Sequence, residues 1–384
     1  MAKVIVIGPA YPLRGGLATF DERLARQFMN EGDDCTIYSF SLQYPGFLFP
    51  GTTQYSGEPP PTDLKIRTVI NSVNPLNWIR VRNRLKKESA SIVVVRYWLP
   101  FMGPALGTIL RGLKHPRRVG TTRVICIADN VIPHEHRPGD KSFTRYFLKA
   151  CDGFVTMSEK VKRDLELFNN RQPARVVHHP LYDNFGAIID KKTARRHLTL
   201  DPEKRVILFF GFIRKYKGLD LLLEAYALLH EQLKDNPGEL PTLLIAGEFY
   251  EDRKPYDELI GKLKIEKNIS LHTTFVPDSE VKYFLCAADV VIQPYRNATQ
   301  SGVTPLAYYF EKPMIVTNVG GLPALVPHDK VGLVAEPDAK SIADAVRRFY
   351  QLGENYFLPH LREEKKQYSW ENLVNAIREL AAFR

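Results

Sequence analysis

Short runs of β-branched and apolar residues alternate along this chain with stretches whose apolar residues recur every three to four positions. These are the patterns of buried strands and one-sided helices. VIVIG (Val4–Gly8) predicts a strand ending in a Pro/Gly-rich loop, and Leu17, Phe20, Leu24 and Phe28 predict the helix after it. Thr36–Phe40, Ser91–Val95, Arg123–Ala128 and Ala150–Val155 predict further strands, with a helix expected between the middle two and another over Ser158–Phe168. Residues 41–62, rich in Pro, Gly and aromatics, predict a long surface loop whose length suits a functional flap.

The pattern changes over residues 178–203, where HHPLYDNFG is turn-rich and KKTARRHL predicts a short helix. RVILFFG (Arg205–Gly211) then restarts the alternation. TLLIAGE, ISLHTTF, DVVIQPY, PMIVTN and GLVAE follow, interleaved with helices expected over Leu219–Leu233 and Ser341–Leu352. Strands alternating with helices imply parallel sheets. The expected fold is α/β, with two facing Rossmann-like, doubly wound domains over residues 1–185 and 186–369. Open parallel sheets bind ligands beyond the carboxyl ends of their strands, at a topological switch point. The site is therefore expected in the cleft between the domains.

Charge sharpens the picture once it is divided. The net charge of +10 lies wholly in residues 1–185, with 26 Lys/Arg against 16 Asp/Glu, whereas residues 186–384 carry 27 of each. Such a field attracts a polyanion or an anionic membrane surface. LNWIRVRNRLKK (Leu76–Lys87) interleaves Trp78, Ile79, Val81 and Leu85 with five basic residues. As a helix it would either lie on an anionic membrane or turn its apolar residues to the core. No run approaches the ~20 apolar residues of a spanning helix. Val4–Ile7 leading into GPAYP does not read as a secretory leader. Cys35, Cys126, Cys151 and Cys286 have neither metal-ligand nor disulfide-framework spacing, which fits buried thiols in a reducing cytoplasm. No metal or other cofactor is expected. Nothing matches a nucleic-acid-binding module.

Four segments carry candidate chemistry. In PAYPLRGGLATF (Pro9–Phe20), Gly15 and Gly16 allow close backbone approach ahead of a helix whose amides would face an anion. In GFIRKYKG (Gly211–Gly218), Arg214 and Lys217 follow a strand end, where a guanidinium fork and a mobile ammonium suit a diphosphate. They also suit a diphosphate leaving group whose charge grows in the transition state. Lys215 is a weaker third member. In YRNATQSGV (Tyr295–Val303), Thr299, Gln300 and Ser301 are placed to cap a helix starting near Gly302. In ADNVIPHEHRPGD (Ala128–Asp140), Asp129, Asn130, His134, Glu135 and His136 offer a polar acceptor wall. His134 and His136 find no third ligand of metal-site spacing.

Taken together, PLRGG, DNVIPHE, CDGFVTMSEKV, GFIRKYKGLDLLLEAY, TQSGV, KPMIVTNVGGLP and GLVAEPD resemble the family-4 retaining glycosyltransferases of GT-B fold, essentially end to end. The resemblance implies a nucleotide-diphosphate sugar held mainly by the second domain. Arg214 and Lys217 would bind the diphosphate, helped by Gly211, Gln300 and the amides of Ser301, Gly302 and Val303. Gly15 and Gly16 would close over the donor, and Asp129, Asn130, His134 and Glu135 would face a saccharide or lipid-linked acceptor. It further implies metal-independent retention, with the donor phosphate accepting the acceptor proton, and cell-surface glycan synthesis at the cytoplasmic membrane face. SWENLVNAIREL resembles the family's last helix, so residues 370–384 are expected to return to the first domain. Ala298 and Leu306 stand where the family usually carries two glutamates, one near the sugar and one on the ribose. Asp129 replaces a common histidine, and Ala324 a common glutamate. A nucleotide-sugar epimerase and a non-catalytic nucleotide-sugar binder are the competing readings.

Overall fold

The structure is a computed structural model and describes residues 1–46, 53–113, 122–132, 138–168, 171–298 and 301–382. The chain divides into two compact units, Met1–Pro180 with Ser369–Arg384, and Leu181–Tyr368. The chain crosses between them at 180/181 and again at 368/369, because the final helix packs on elements of the first unit.

The first unit holds seven parallel strands: β1 (Lys3–Ile7), β2 (Asp34–Leu42), β3 (Ile66–Asn71), β4 (Ile92–Tyr97), β5 (Arg123–Ala128), β6 (Gly153–Thr156) and β7 (Ala174–Val176). Their order is β3-β2-β1-β4-β5-β6-β7. Val4 is thus paired with both Cys35 and Ile92, and the order reverses between β1 and β4. The edge strands β3 and β7 were not predicted. The first has only Ile70 buried and the second is three residues long, so neither shows the apolar run of a buried strand.

The helix Gly16–Asn30 buries Phe20, Leu24 and Phe28 as its spacing predicts. Across it lies Trp370–Ala382, which buries Trp370, Leu373, Val374, Ile377 and Leu380 and also packs on β5 and β6. Each of those side chains contributes about 1.5–3 kcal/mol of burial. Arg378 ties this helix down, donating to Asp33 at 2.8 Å and to Glu31. The 41–62 loop, in its described part, runs against the glycine loop: Arg14 N donates to Gln54 O and Ser56 N to Pro12 O, at 3.0 and 2.8 Å.

The second unit holds β8 (Val206–Phe210), β9 (Thr242–Ala246), β10 (Ile269–His272), β11 (Val290–Gln293), β12 (Met314–Thr317) and β13 (Gly332–Ala335). These are also parallel, in the order β10-β9-β8-β11-β12-β13. Here the reversal lies between β8 and β11. The crevice dictated by the topology therefore opens beyond Phe210 and Gln293, at the GFIRKYKG and YRNATQSGV segments. Among the described residues, no helix is long and apolar enough to cross a membrane.

Candidate functional site

The turn after β8 is built from backbone constraints. Gly211 adopts φ 101°, and a Cβ there would lie 3.2 Å from Lys217 Nζ. Gly211 N donates to Ala246 O and Ile213 N to Glu248 O, each at 2.9 Å, which stitches the turn to the end of β9. Lys215–Lys217 form one 3-10 turn, closed by Gly218 at φ 67°. A side chain at Gly218 would collide with the carbonyl oxygen of Pro294, so glycine lets this basic turn lie on the backbone leaving β11.

Arg214 and Lys217 project from that turn without a carboxylate partner among the described residues. Arg214 rests 5.3 Å from the Tyr250 ring centroid, and Lys217 Nζ 5.4 Å from that of Tyr295. The nearby acids are committed elsewhere. Asp220 accepts from Arg296 at 2.7 Å, and Glu251 accepts from Lys215 N at 2.7 Å and from the Tyr256 hydroxyl. Burial holds the Lys217 ammonium below its usual pKa, and Arg214 pushes the same way. Two unmatched cations on one turn form a site with an electrostatic deficit that an anion fills.

Opposite them, the Tyr295 hydroxyl meets Ser301 Oγ at 3.2 Å, and Ser301 Oγ accepts from Val303 N at 3.2 Å. Thr317 Oγ1 donates to Tyr295 O at 2.5 Å and Thr304 Oγ1 to Gln293 Oε1 at 3.1 Å. Ser301 and Val303 are buried, and the helix that follows, Val303–Tyr309, begins one residue past Gly302. Gly211, Ser301, Gly302 and Val303 thus share one strand-end rim with Arg214 and Lys217. Gln300 lies outside the described residues.

In the first unit, Gly15 at φ 97° precedes the helix, and Gly16 is its first residue. Asp129 follows β5, but its carboxylate is not presented to an acceptor. Arg96 grips both oxygens, Nε to Oδ2 at 2.6 Å and Nη2 to Oδ1 at 2.8 Å, with both side chains buried. A carboxylate spent on a buried bidentate pair has little left for a ligand, so the acceptor role expected of Asp129 passes to a structural one. Asn130 remains partly exposed beside it; His134, Glu135 and His136 lie outside the described residues.

Arg96 also reaches Asp21 Oδ1 at 3.4 Å and lies 3.8 Å over the Phe20 ring. Asp21 is 1% exposed, and its Oδ2 has no hydrogen-bond partner among the described residues. Burial raises its pKa well above the usual range against the pull of Arg96, and Asp129 adds to the rise. Burial and then Arg96 drive His179 down to about 3, so that imidazole is neutral. Asp129 apart, this network was not singled out from the sequence. Its signals were an arginine within the buried run IVVVRY and an aspartate four residues after Leu17, on the helix's apolar stripe.

The family profile described as Glycosyltransferase Family 4 matches residues 14–182, and that described as Glycosyl transferases group 1 matches residues 190–369. The chain belongs to the family-4 glycosyltransferases. Two curated relatives are both named D-inositol 3-phosphate glycosyltransferase. The one from Jonesia denitrificans is 32% identical over 189 residues, which is 47% of this chain and 44% of that protein. The one from Corynebacterium urealyticum is 27% identical over 312 residues, 76% of this chain and 71% of that protein. The chain thus matches less than half the length of the Jonesia relative. The GT-B fold is shared with Anabaena HepE in complex with UDP-glucose, at TM-score 0.72 and 14% identity over 99% of each chain.

Against the family pattern, Ala298 and Leu306 are both buried, 3% and 4% exposed. Neither position presents a polar side chain. Ala324 is exposed on the short helix Leu322–Leu325.

Proposed function

We propose that this chain is a retaining glycosyltransferase that moves a sugar from a nucleotide-diphosphate donor to a saccharide or lipid-linked acceptor in cell-surface glycan synthesis. The observation that carries the reading is the pair Arg214 and Lys217, unmatched cations at the switch point of the second sheet. A diphosphate supplies the missing negative charge, and it gains more on departure, when that charge grows. In this reading Gly211 leaves room for a phosphate beside Lys217, while Ser301 and Gly302 offer backbone amides from the same rim. The two cations do the work that a divalent ion does elsewhere, so no metal is required. Retention follows if the acceptor hydroxyl attacks from the face the diphosphate leaves and passes its proton to a donor phosphate oxygen. The UDP-glucose bound by the Anabaena protein makes a uridine diphosphate sugar the first donor to try. Gly15, Gly16 and Asn130 are proposed to serve the sugar and acceptor side.

The test is calorimetric titration with UDP, GDP, ADP and CMP, followed by the matching sugar nucleotides. One diphosphate is expected to bind selectively and to lose roughly ten-fold or more in affinity in Arg214→Ala, the cost of one charge-assisted contact. Unchanged affinity in that variant would remove Arg214 from the site. The buried Ala298 and Leu306 favour a second reading, donor binding without turnover. Detection of any glycosylated product eliminates it.

A further inference from the structure

We infer that Tyr250 and Tyr295 are positioning residues for the anion site: each sets its ring against one of the two unmatched cations and keeps it aimed without neutralising it. The inference rests on the diphosphate reading of that site and adds how two like charges are held in place there.

The turn Gly211–Gly218 lies between two strand-end segments, and each is stitched to it through the backbone. On one side Tyr250 N donates to Ile213 O at 3.0 Å, and on the other Arg296 N donates to Tyr216 O at 2.7 Å. Each segment also brings a tyrosine to a cation. The Arg214 guanidinium carbon is 5.3 Å from the Tyr250 ring centroid, and Lys217 Nζ is 5.4 Å from that of Tyr295. Both distances fall inside the ~6 Å reach of a cation–π contact. The rings are fixed in turn. Phe212 stacks on Tyr250 at 4.2 Å with the planes 30° apart. Tyr295 is buried, its hydroxyl against Ser301 Oγ and its carbonyl accepting from Thr317 Oγ1.

A ring does here what a carboxylate cannot. A carboxylate at either place would also hold its cation, but the pair would be neutral and an incoming anion would have to break it. A tyrosine ring attracts a cation through its quadrupole and carries no net charge, so the site keeps both positive charges for its ligand. Burial pushes the Tyr295 hydroxyl up to about 12, so no phenolate forms near neutral pH to cancel Lys217. The contacts also work against a standing tendency to disperse. Arg214 repels Lys217, and a long side chain released from its ring spreads over many rotamers, few of which face a diphosphate. A packing role alone would fit Tyr295 by its burial, but not Tyr250, which stays partly exposed.

The experiment is calorimetric titration of the full chain with inorganic pyrophosphate and with UDP, GDP and ADP. Tyr250→Leu should weaken every probe that the wild type binds about three- to five-fold, because affinity scales with the fraction of molecules whose Arg214 is already aimed. Tyr295→Met, which fills most of the buried space the ring leaves, should weaken them about ten-fold, since a desolvated contact is the stronger one. The conservative variants Tyr250→Phe and Tyr295→Phe keep the rings and should recover the affinity. Each tyrosine should act through its own cation: Tyr250→Leu should cause no further loss in an Arg214→Ala background and should still weaken binding in Lys217→Met, with the reverse pattern for Tyr295→Met. Undiminished affinity in Tyr250→Leu or Tyr295→Met, a loss in the phenylalanine variants as large as in these, or a full further loss on top of the matching cation variant overturns the inference and leaves the diphosphate site standing. If the wild type binds none of the probes, or Arg214→Ala binds them undiminished, the diphosphate reading falls and the inference falls with it.

Discussion

Replacing Lys217 with methionine keeps most of the aliphatic stem and deletes the ammonium, so it isolates the charge. In the free protein that charge is a liability. Burial first, and then repulsion by Arg214, hold its pKa below the usual range, and no carboxylate among the described residues offsets it. Relieving a functional site of such a group stabilises the fold by about 0.5–1 kcal/mol. For a unit of this size that is a rise of about 1–4 °C in Tm. Nucleotide-diphosphate binding should move the other way. Losing one charge-assisted contact costs about 1.5–3 kcal/mol, roughly 10–150-fold in Kd.

The pH dependence has a definite sign. The folded pKa of Lys217 lies below its unfolded value of about 10.4. The penalty is therefore fully present below the folded pKa and vanishes as pH rises to the unfolded one. The Tm advantage of Lys217→Met should shrink as pH increases. Scanning calorimetry and titration with a nucleotide diphosphate read both effects. A variant less stable than wild type, or one with undiminished affinity, would refute the argument that Lys217 is an uncompensated charge kept for an anion.

Four other outcomes follow from the same structure. Arg96→Met strands two buried carboxylates and should cost about 3–5 kcal/mol, seen as a fall in urea midpoint; a loss under 1 kcal/mol would mean the network is not structural. Asp21→Asn should match wild type at low pH and become the more stable of the two as pH rises above the ordinary carboxylate range of about 4, because burial raises the folded pKa of Asp21; melting curves at several pH values would expose a constant or reversed difference. A 181–368 fragment should unfold cooperatively on its own, whereas 1–180 should need residues 369–384 supplied in trans, since Trp370, Leu373 and Ile377 complete its packing; independent cooperative folding of 1–180 would contradict this. Once a donor is found, EDTA should leave sugar transfer unchanged, and full inhibition restored by a divalent ion would remove the proposed division of labour between Arg214 and Lys217.

What the sequence determined by itself was local. The alternation of β-branched runs with one-sided helices dictated parallel α/β units, because each pattern reports only which residues seek burial over five to fifteen positions. The glycine-flanked basic turn GFIRKYKG was legible too, since Gly211 and Gly218 mark backbone that other residues cannot follow. Strand order was not legible. Only the paired sheets place the reversal between β8 and β11, and with it the crevice beside Arg214 and Ser301. Pairing of charges was equally hidden, because partners far apart in sequence meet only when strands are set side by side. Asp129 read as a ligand-facing acid until Arg96, on the neighbouring strand, was found gripping it. Lys217 read as one lysine among many until the acids around it proved to be taken. On the helix Pro75–Glu88 the spacing allowed either face to be the buried one, and tertiary packing chose Trp78, Val81 and Leu85 for the core and left Leu76 and Ile79 outside.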